Sequence, residues 1–174
     1  MNINEKAIRE GMAKANAIIE QRINAALYRL GMYYLQHAID NKEYSNLTGN
    51  TITSTSFGLY KDYQLQQVIF ISMKEAIRTK LIKGEWFDEP FDYDGNVRSF
   101  QGKIDTDAFY GKDLARDFLM QYRPLKPNAI VLTTGTEYST YIENELDSNV
   151  LTQTRDEAKN TMIQMFNKNF ERIK

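Results

Sequence analysis

The sequence contains no cysteine and a single histidine, His37. The absence of cysteine excludes disulfides, thiolate nucleophiles and every zinc site that needs sulfur. His37 extends the apolar stripe of a predicted helix, so we expect a partly buried structural residue rather than a catalytic base. We therefore expect no metal, no cofactor and no catalytic residue in this chain.

The chain also lacks an excess of charge and a long apolar run. Its 22 basic and 23 acidic residues give a net charge of -1, which does not favour a surface that grips DNA or an anionic membrane. No apolar run approaches the roughly 20 residues of a membrane span, and the charged first ten residues are unlike a signal peptide. With 174 residues, 42% of them hydrophobic, we expect one soluble domain, inside the cell or in a particle.

Helix patterns begin and end the chain, with strand patterns between them. Asn2 and Glu5 have capping-box spacing, and an apolar stripe follows them to residue 34. This stripe comprises Ile8, Met12, Ala15, Ile19, Ile23, Ala26, Leu30 and Tyr34. A second stripe, Ala158, Met162, Phe166, Phe170 and Ile173, predicts a closing helix, and we expect the two stripes to be buried together against one sheet face.

The middle of the chain predicts an inserted helix and hairpin. Residues 66–72 and 129–133 are short apolar runs typical of buried strands, and residues 137–142 continue strand-like. Asp94-Gly95 between aromatic segments predicts a β-hairpin, and residues 73–83 and 107–122 predict further helices. The fold class is therefore α+β, with both terminal helices packed on a small, mainly antiparallel sheet and an insertion-like block at about 73–127.

A polar segment separates the first helix from the sheet. Residues 41–61 are rich in threonine, serine, asparagine and glycine, which predicts a loop leading into a strand. The part between Tyr44 and Tyr60 has little apolar surface of its own, so we expect it to become ordered only when a partner supplies contacts. The free protein would then be largely monomeric.

Acidic side chains concentrate in residues 85–117, where nine acidic and four basic residues give a local charge of -5. A calcium loop with Gly95 at its sixth position would place Pro90 first and Gln101 twelfth, and neither supplies the required carboxylate. Paired carboxylates for a metal-dependent nuclease or hydrolase remain an alternative, although nothing fixes their spacing. A small adaptor or toxin-type interaction domain is a further alternative.

Two segments resemble a known family. The sequences LTGNTITST at 47–55, after a long helix, and YSTYIE at 138–143, before a closing helix, resemble the tail-completion, or neck, proteins of tailed bacteriophages. The resemblance covers about 1–72 and 128–174. Residues 144–147 and 149–152 depart from it, because the family usually has a glycine-threonine pair and a proline-rich entry to the last helix.

The resemblance implies a structural virion protein made in the host cytoplasm and assembled in the neck. It implies a six- or twelve-fold homo-oligomeric ring that joins the portal to other neck or tail proteins, lets DNA pass without sequence-specific binding, and contacts no membrane. We expect aromatic and motif residues to form the inter-subunit or partner contacts: Thr48, Gly49, Asn50, Trp86, Phe87, Phe91, Tyr93, Tyr138, Tyr141 and Glu143. We expect the hairpin around Asp94-Gly95 to insert against a neighbouring subunit or ring.

Overall fold

The computed structural model describes residues 3–42, 50–70, 82–93, 96–103, 110–136, 139 and 151–171. In chain order they form α1 (Ile3–Asp40), α2 (Asn50–Ser54), β1 (Ser56–Lys61), β2 (Gln64–Phe70), β3 (Trp86–Tyr93), β4 (Asn96–Lys103), α3 (Tyr110–Gln121), β5 (Ala129–Thr133) and α4 (Thr152–Glu171). Strands β2, β1 and β5 form an antiparallel sheet in that order, and β3 pairs with β4. The predicted α+β fold with long terminal helices is confirmed.

Helix α1 is longer than the sheet that it covers. Its 38 residues correspond to a rod of about 57 Å. The helix ends where the backbone N–H and the side-chain amide of Asn41 both donate to the carbonyl of His37, at 3.1 and 2.8 Å. Burial is confined to its C-terminal half, where Ala26, Leu30, Tyr34 and Leu35 are at most 1% exposed.

The core lies between this half of α1 and the three-stranded sheet. Leu35, Phe57, Leu59 and Ile69 form its buried centre. Phe57 reaches α1 at Gly31, where a Cβ atom would lie only 2.5 Å from the ring. Gly31 therefore weakens the helix slightly but leaves room for the buried Phe57 ring.

Helix α4 packs along the C-terminal half of α1 through polar contacts. His37 Nδ1 is 2.9 Å from Thr154 Oγ1, and the hydroxyls of Tyr34 and Thr161 are 3.1 Å apart. These bonds fix α4 antiparallel to α1. The two terminal helices therefore pack together as expected, and side-chain hydroxyl groups form hydrogen bonds between them.

The expected burial of the apolar stripes is wrong over much of their length. Residues 4–21 of α1 are all exposed, and Ile8, Met12 and Ile19 keep 62%, 61% and 48% of their surface. On α4, Met162 is 47% exposed. Helical spacing predicts an apolar stripe but does not predict which segment covers it. In this structure the sheet and α4 contact α1 only from about residue 20 onward. Replacing Ile19, which is 48% exposed, by alanine is therefore expected to cost less than the roughly 2–5 kcal/mol of a buried site.

The segment after α1 is more ordered than its composition indicates. Residues 50–54 form a short helix instead of a loop, and every residue from 50 to 60 is buried. The expectation that this part of 44–60 lacks contacts of its own is wrong, because other segments of the same chain hydrogen-bond its hydroxyl groups. Residues 43–49 lie outside the described residues.

Other local predictions have mixed outcomes. Strands β3 and β4 pair in register up to Tyr93 opposite Asn96, which confirms the hairpin around positions 94 and 95. Ser139 is helical, and its N–H donates to the Thr136 carbonyl at 3.0 Å, so the strand predicted over 137–142 is wrong at that residue. The predicted helix at 73–83 falls outside the described residues, apart from 82 and 83, which are not helical.

Candidate functional site

A buried cluster of hydroxyl groups joins α2 to the segment after β5. Ser54 Oγ donates to the Thr51 carbonyl at 2.7 Å and accepts from the Gly135 N–H at 3.0 Å. The hydroxyls of Thr51 and Thr136 are 3.2 Å apart, and Ser139 contacts the hydroxyls of both Thr134 and Thr136. The cluster therefore connects parts of the two segments on which the family resemblance depends.

Helix α3 begins against the same cluster. The Gly111 N–H donates to Asn50 Oδ1 at 2.9 Å, so Asn50 satisfies a backbone donor in the first turn of α3. A Cβ atom on Gly135 would lie 1.9 Å from the Gly111 carbonyl oxygen, so the backbones touch at these two glycines. The cluster therefore holds together α2, the segment 134–136 and the first turn of α3.

The cluster has the chemistry of a structural site. An activated serine needs an adjacent general base, and the described partners of the Ser54 hydroxyl are a carbonyl, an N–H group and a threonine hydroxyl. None of these described partners is a general base. Sequence reasoning missed this role of Ser54, Thr134 and Thr136, although the threonine-rich runs on both sides were a signal.

Replacing Ser54 by alanine is expected to destabilise the chain by about 1–3 kcal/mol, because the part-buried Gly135 N–H loses its acceptor. Ser56 provides a matched control. Its hydroxyl is equally buried but has no hydrogen-bond partner among the described residues, so Ser56→Ala should be neutral or stabilising. Urea denaturation of both variants measures the difference. Equal losses for the two variants would contradict the assigned role of the cluster.

The predicted partner-contact residues have different positions. Asn50 is 1% exposed and accepts from the Gly111 N–H within its own chain, and its proposed contact with a neighbouring subunit stays a prediction. Trp86 is 68% exposed at the start of the hairpin, and its proposed contact stays a prediction. The remaining predicted contacts lie where the structure describes no side chain: Thr48, Gly49, Phe87, Phe91, Tyr93, Tyr138, Tyr141 and Glu143.

Several of the described titratable side chains form surface or structural pairs. His37 is half-buried and bonded to Thr154, as expected for a structural histidine. From the acidic segment, Asp113 pairs with Arg116 at 3.0 Å on the exposed face of α3. The hydrogen bond from Lys159 lowers the pKa of Asp156 on α4. Among the described residues, no three histidine, aspartate or glutamate side chains cluster as metal ligands would.

The free half of α1, residues 3–19, presents a row of apolar side chains to solvent. Ile8, Met12, Ala15 and Ile19 follow each other in steps of three or four and so share one face. The same row continues into Ala26, Leu30 and Tyr34, which are covered. The stripe is therefore continuous along the helix, but its first part, about 25 Å of helix, has no cover.

Helix α4 carries a second apolar face, which is partly uncovered and lies away from Thr154 and Thr161, the residues that bond to α1. Ile163 is 74% exposed and Met162 is 47% exposed. One turn further on, the half-buried rings of Phe166 and Phe170 stack with their centroids 6.1 Å apart. We call these four residues the outer face of α4. Sequence reasoning noted three of them but assigned them to the core.

Helix α3 exposes apolar side chains as well, but in a shorter row. Leu114 and Phe118 lie one turn apart on one face, and the Phe118 ring packs against the Tyr122 ring with the centroids 5.6 Å apart. Met120, which is 59% exposed, lies on a different side of the helix. The apolar rows on α1 and α4 each extend over two turns or more and are longer than the pair on α3.

Within the described ranges, no helix combines the length and the apolar character needed to cross a membrane. Comparison of the chain with protein-family models, with curated proteins and with solved structures finds no match.

Proposed function

We propose that this chain is a structural protein that assembles into a homo-oligomeric ring, and that the ring is the neck ring of a tailed bacteriophage, between portal and tail. The observation that carries the assembly proposal is the free half of α1. It projects about 25 Å beyond the body and bears an apolar stripe that its own domain leaves uncovered. Exposed contiguous apolar surface of this kind marks an interaction site.

Ring geometry also suits the chain. A closed ring is built by head-to-tail contacts, so each subunit needs two unlike surfaces. The projecting helix supplies one such surface at a distance from the body, where it can reach a neighbour. An isologous dimer, in contrast, would need one surface that fits itself.

The charge of the chain is compatible with a channel for DNA. Proteins that grip DNA neutralise phosphates with many basic side chains, and affinity rises with the number of such contacts. A net charge of -1 with 22 basic and 23 acidic residues supports a ring through which DNA slides. The position in the neck depends on the resemblance of residues 47–55 and 138–143 to tail-completion proteins.

Binding to capsids tests this function. The purified chain should sediment with portal-bearing, tail-less capsids of the phage that encodes it, and should not sediment with capsids whose tails are already attached. Capsids without a portal are the second control, because they offer the same shell and lack the template. A chain that stays in the supernatant beside tail-less capsids would contradict the neck function.

A further inference from the structure

The uncovered stripe of α1 has the same character as the stripe that α4 covers further along the helix. From His37 back to about residue 22, α4 lies on this face of α1, held by the Tyr34–Thr161 and His37–Thr154 bonds. Beyond that point the row of Ile8, Met12, Ala15 and Ile19 continues without a helix on it. The occupant that fits such a face is a second helix with an apolar stripe of its own.

We propose that the free half of α1 docks on the outer face of α4 of a neighbouring copy. The proposal rests on the self-assembly premise of the proposed function, but not on its place in a phage neck. It commits to a heterologous contact, in which the α1 stripe of one copy meets Met162, Ile163, Phe166 and Phe170 of the next.

The dimensions of the two stripes match. The stripe from Ile8 to Ile19 covers about 16 Å of helix, and the outer face from Met162 to Phe170 covers about 12 Å. Both lie on regular helices that are free of proline, so they can lie along one another without a kink. The contact therefore needs no rearrangement of either helix.

The side chains are also complementary in size. On α1, Gly11 and Ala15 lie one turn apart, and a Cβ atom added to Gly11 would meet nothing within 4 Å. These two small residues leave open space beside Met12. The outer face of α4 offers the stacked rings of Phe166 and Phe170, which can approach the helix there. Large aromatic groups inserted against small residues are typical of the centre of protein interfaces.

A pairing of α1 with α1 of a second copy would cover fewer of the exposed apolar side chains than docking on α4. It would cover the α1 stripe but leave Ile163, at 74% exposure, and Met162 in solvent. An α1–α1 contact would also stop at a dimer, because an isologous contact occupies the same surface on both copies and leaves none for a third. Docking on α4 covers both uncovered stripes with a single kind of contact and can repeat from copy to copy.

Cysteine cross-linking tests the proposal directly, because the chain contains no cysteine of its own. Met12→Cys places a thiol on the free half of α1, and Ile163→Cys places one on the outer face of α4. The two positions cannot be bridged within one chain. The Tyr34–Thr161 bond holds this part of α4 near residue 30 or beyond, about 27 Å along α1 from position 12, whereas a disulfide needs Cα atoms within about 7 Å.

Under mild oxidation at high protein concentration, a mixture of the two single variants should give a cross-linked heterodimer. The Met12→Cys and Ile163→Cys double variant should give a ladder of covalent oligomers. Met120→Cys is the control receiver, because it is similarly exposed on α3. The Met12→Cys and Ile163→Cys pair should cross-link at least about tenfold more than the Met12→Cys and Met120→Cys pair, a ratio that corresponds to a preference of about 1.4 kcal/mol.

Two outcomes would overturn the proposal. Cross-linking no greater than with the Met120→Cys control would show that α4 is not the receiving face. Preferential cross-linking of Met12→Cys with itself would show an α1–α1 contact instead. Neither outcome depends on capsids. A ladder of cross-linked oligomers without capsid binding would therefore support the docking and contradict the neck function. Capsid binding without a ladder would support the neck function and contradict the docking.

Discussion

Replacing Gly135 by alanine is expected to destabilise the folded chain by about 3–5 kcal/mol, the upper range for a single substitution. The new Cβ atom would lie 1.9 Å from the Gly111 carbonyl oxygen and 2.5 Å from the Ala115 nitrogen. Both are backbone atoms of α3, so no side-chain rotation relieves the overlap. The segment cannot move away easily either, because the Gly135 N–H is bonded to Ser54.

Gly11→Ala is the matched control for this prediction. It makes the same chemical change inside α1, where the added Cβ would meet nothing within 4 Å. Alanine is the better helix former, so this variant should be more stable than the original chain by about 0.5–1 kcal/mol. Denaturant unfolding, with midpoint and slope both fitted, measures the two variants. A loss below about 0.5 kcal/mol for Gly135→Ala would contradict the close contact between the 134–136 segment and α3.

The double substitution of Ile8 and Met12 by aspartate is expected to abolish assembly without affecting the fold. Both side chains are more than 60% exposed, so unfolding free energy should change by no more than about 0.5 kcal/mol. Assembly should weaken by at least about 100-fold, because two charges would be buried in an apolar contact. Sedimentation with tail-less capsids and thermal melts of the free chain measure the two effects separately.

Ala13→Asp with Ala17→Asp is the control on the opposite side of the same helix segment. It introduces the same two carboxylates, and the positions are also exposed. If α1 contributes only through its apolar stripe, this control should assemble like the original chain. Loss of assembly in both double variants would instead indicate a general effect of charge on the projecting helix, and the assigned interface would be wrong.

The elements that sequence reasoning predicted are those with a local cause. The period of α1, the apolar run of β5 and the Asp94-Gly95 turn signal each depend on neighbouring residues alone, and each element is present. The short turn between β1 and β2 is different. Asp62 and Tyr63 both have positive φ, at 51° and 64°. Aspartate is common in this region but tyrosine is not, and the pair lacks the glycine that usually marks such a turn.

Burial was harder to predict than secondary structure. The segment around Thr51 and Ser54 has the composition of a solvated loop, yet it is buried because its hydroxyls bond to residues about 80 positions later. Conversely, Ile8 and Met12 have the spacing of a core stripe but face solvent. In both cases the outcome depends on which distant segment covers the residue, and a local pattern does not contain that information.

The mass of the assembled species tests the central claim most directly. Native mass spectrometry of the chain released from particles, or cross-linked on tail-less capsids, should give one species at six or twelve times the subunit mass of 20.3 kDa. The same measurement on the Ile8→Asp and Met12→Asp double variant should give the monomer. A single species at one or two subunit masses for the original chain would contradict ring assembly.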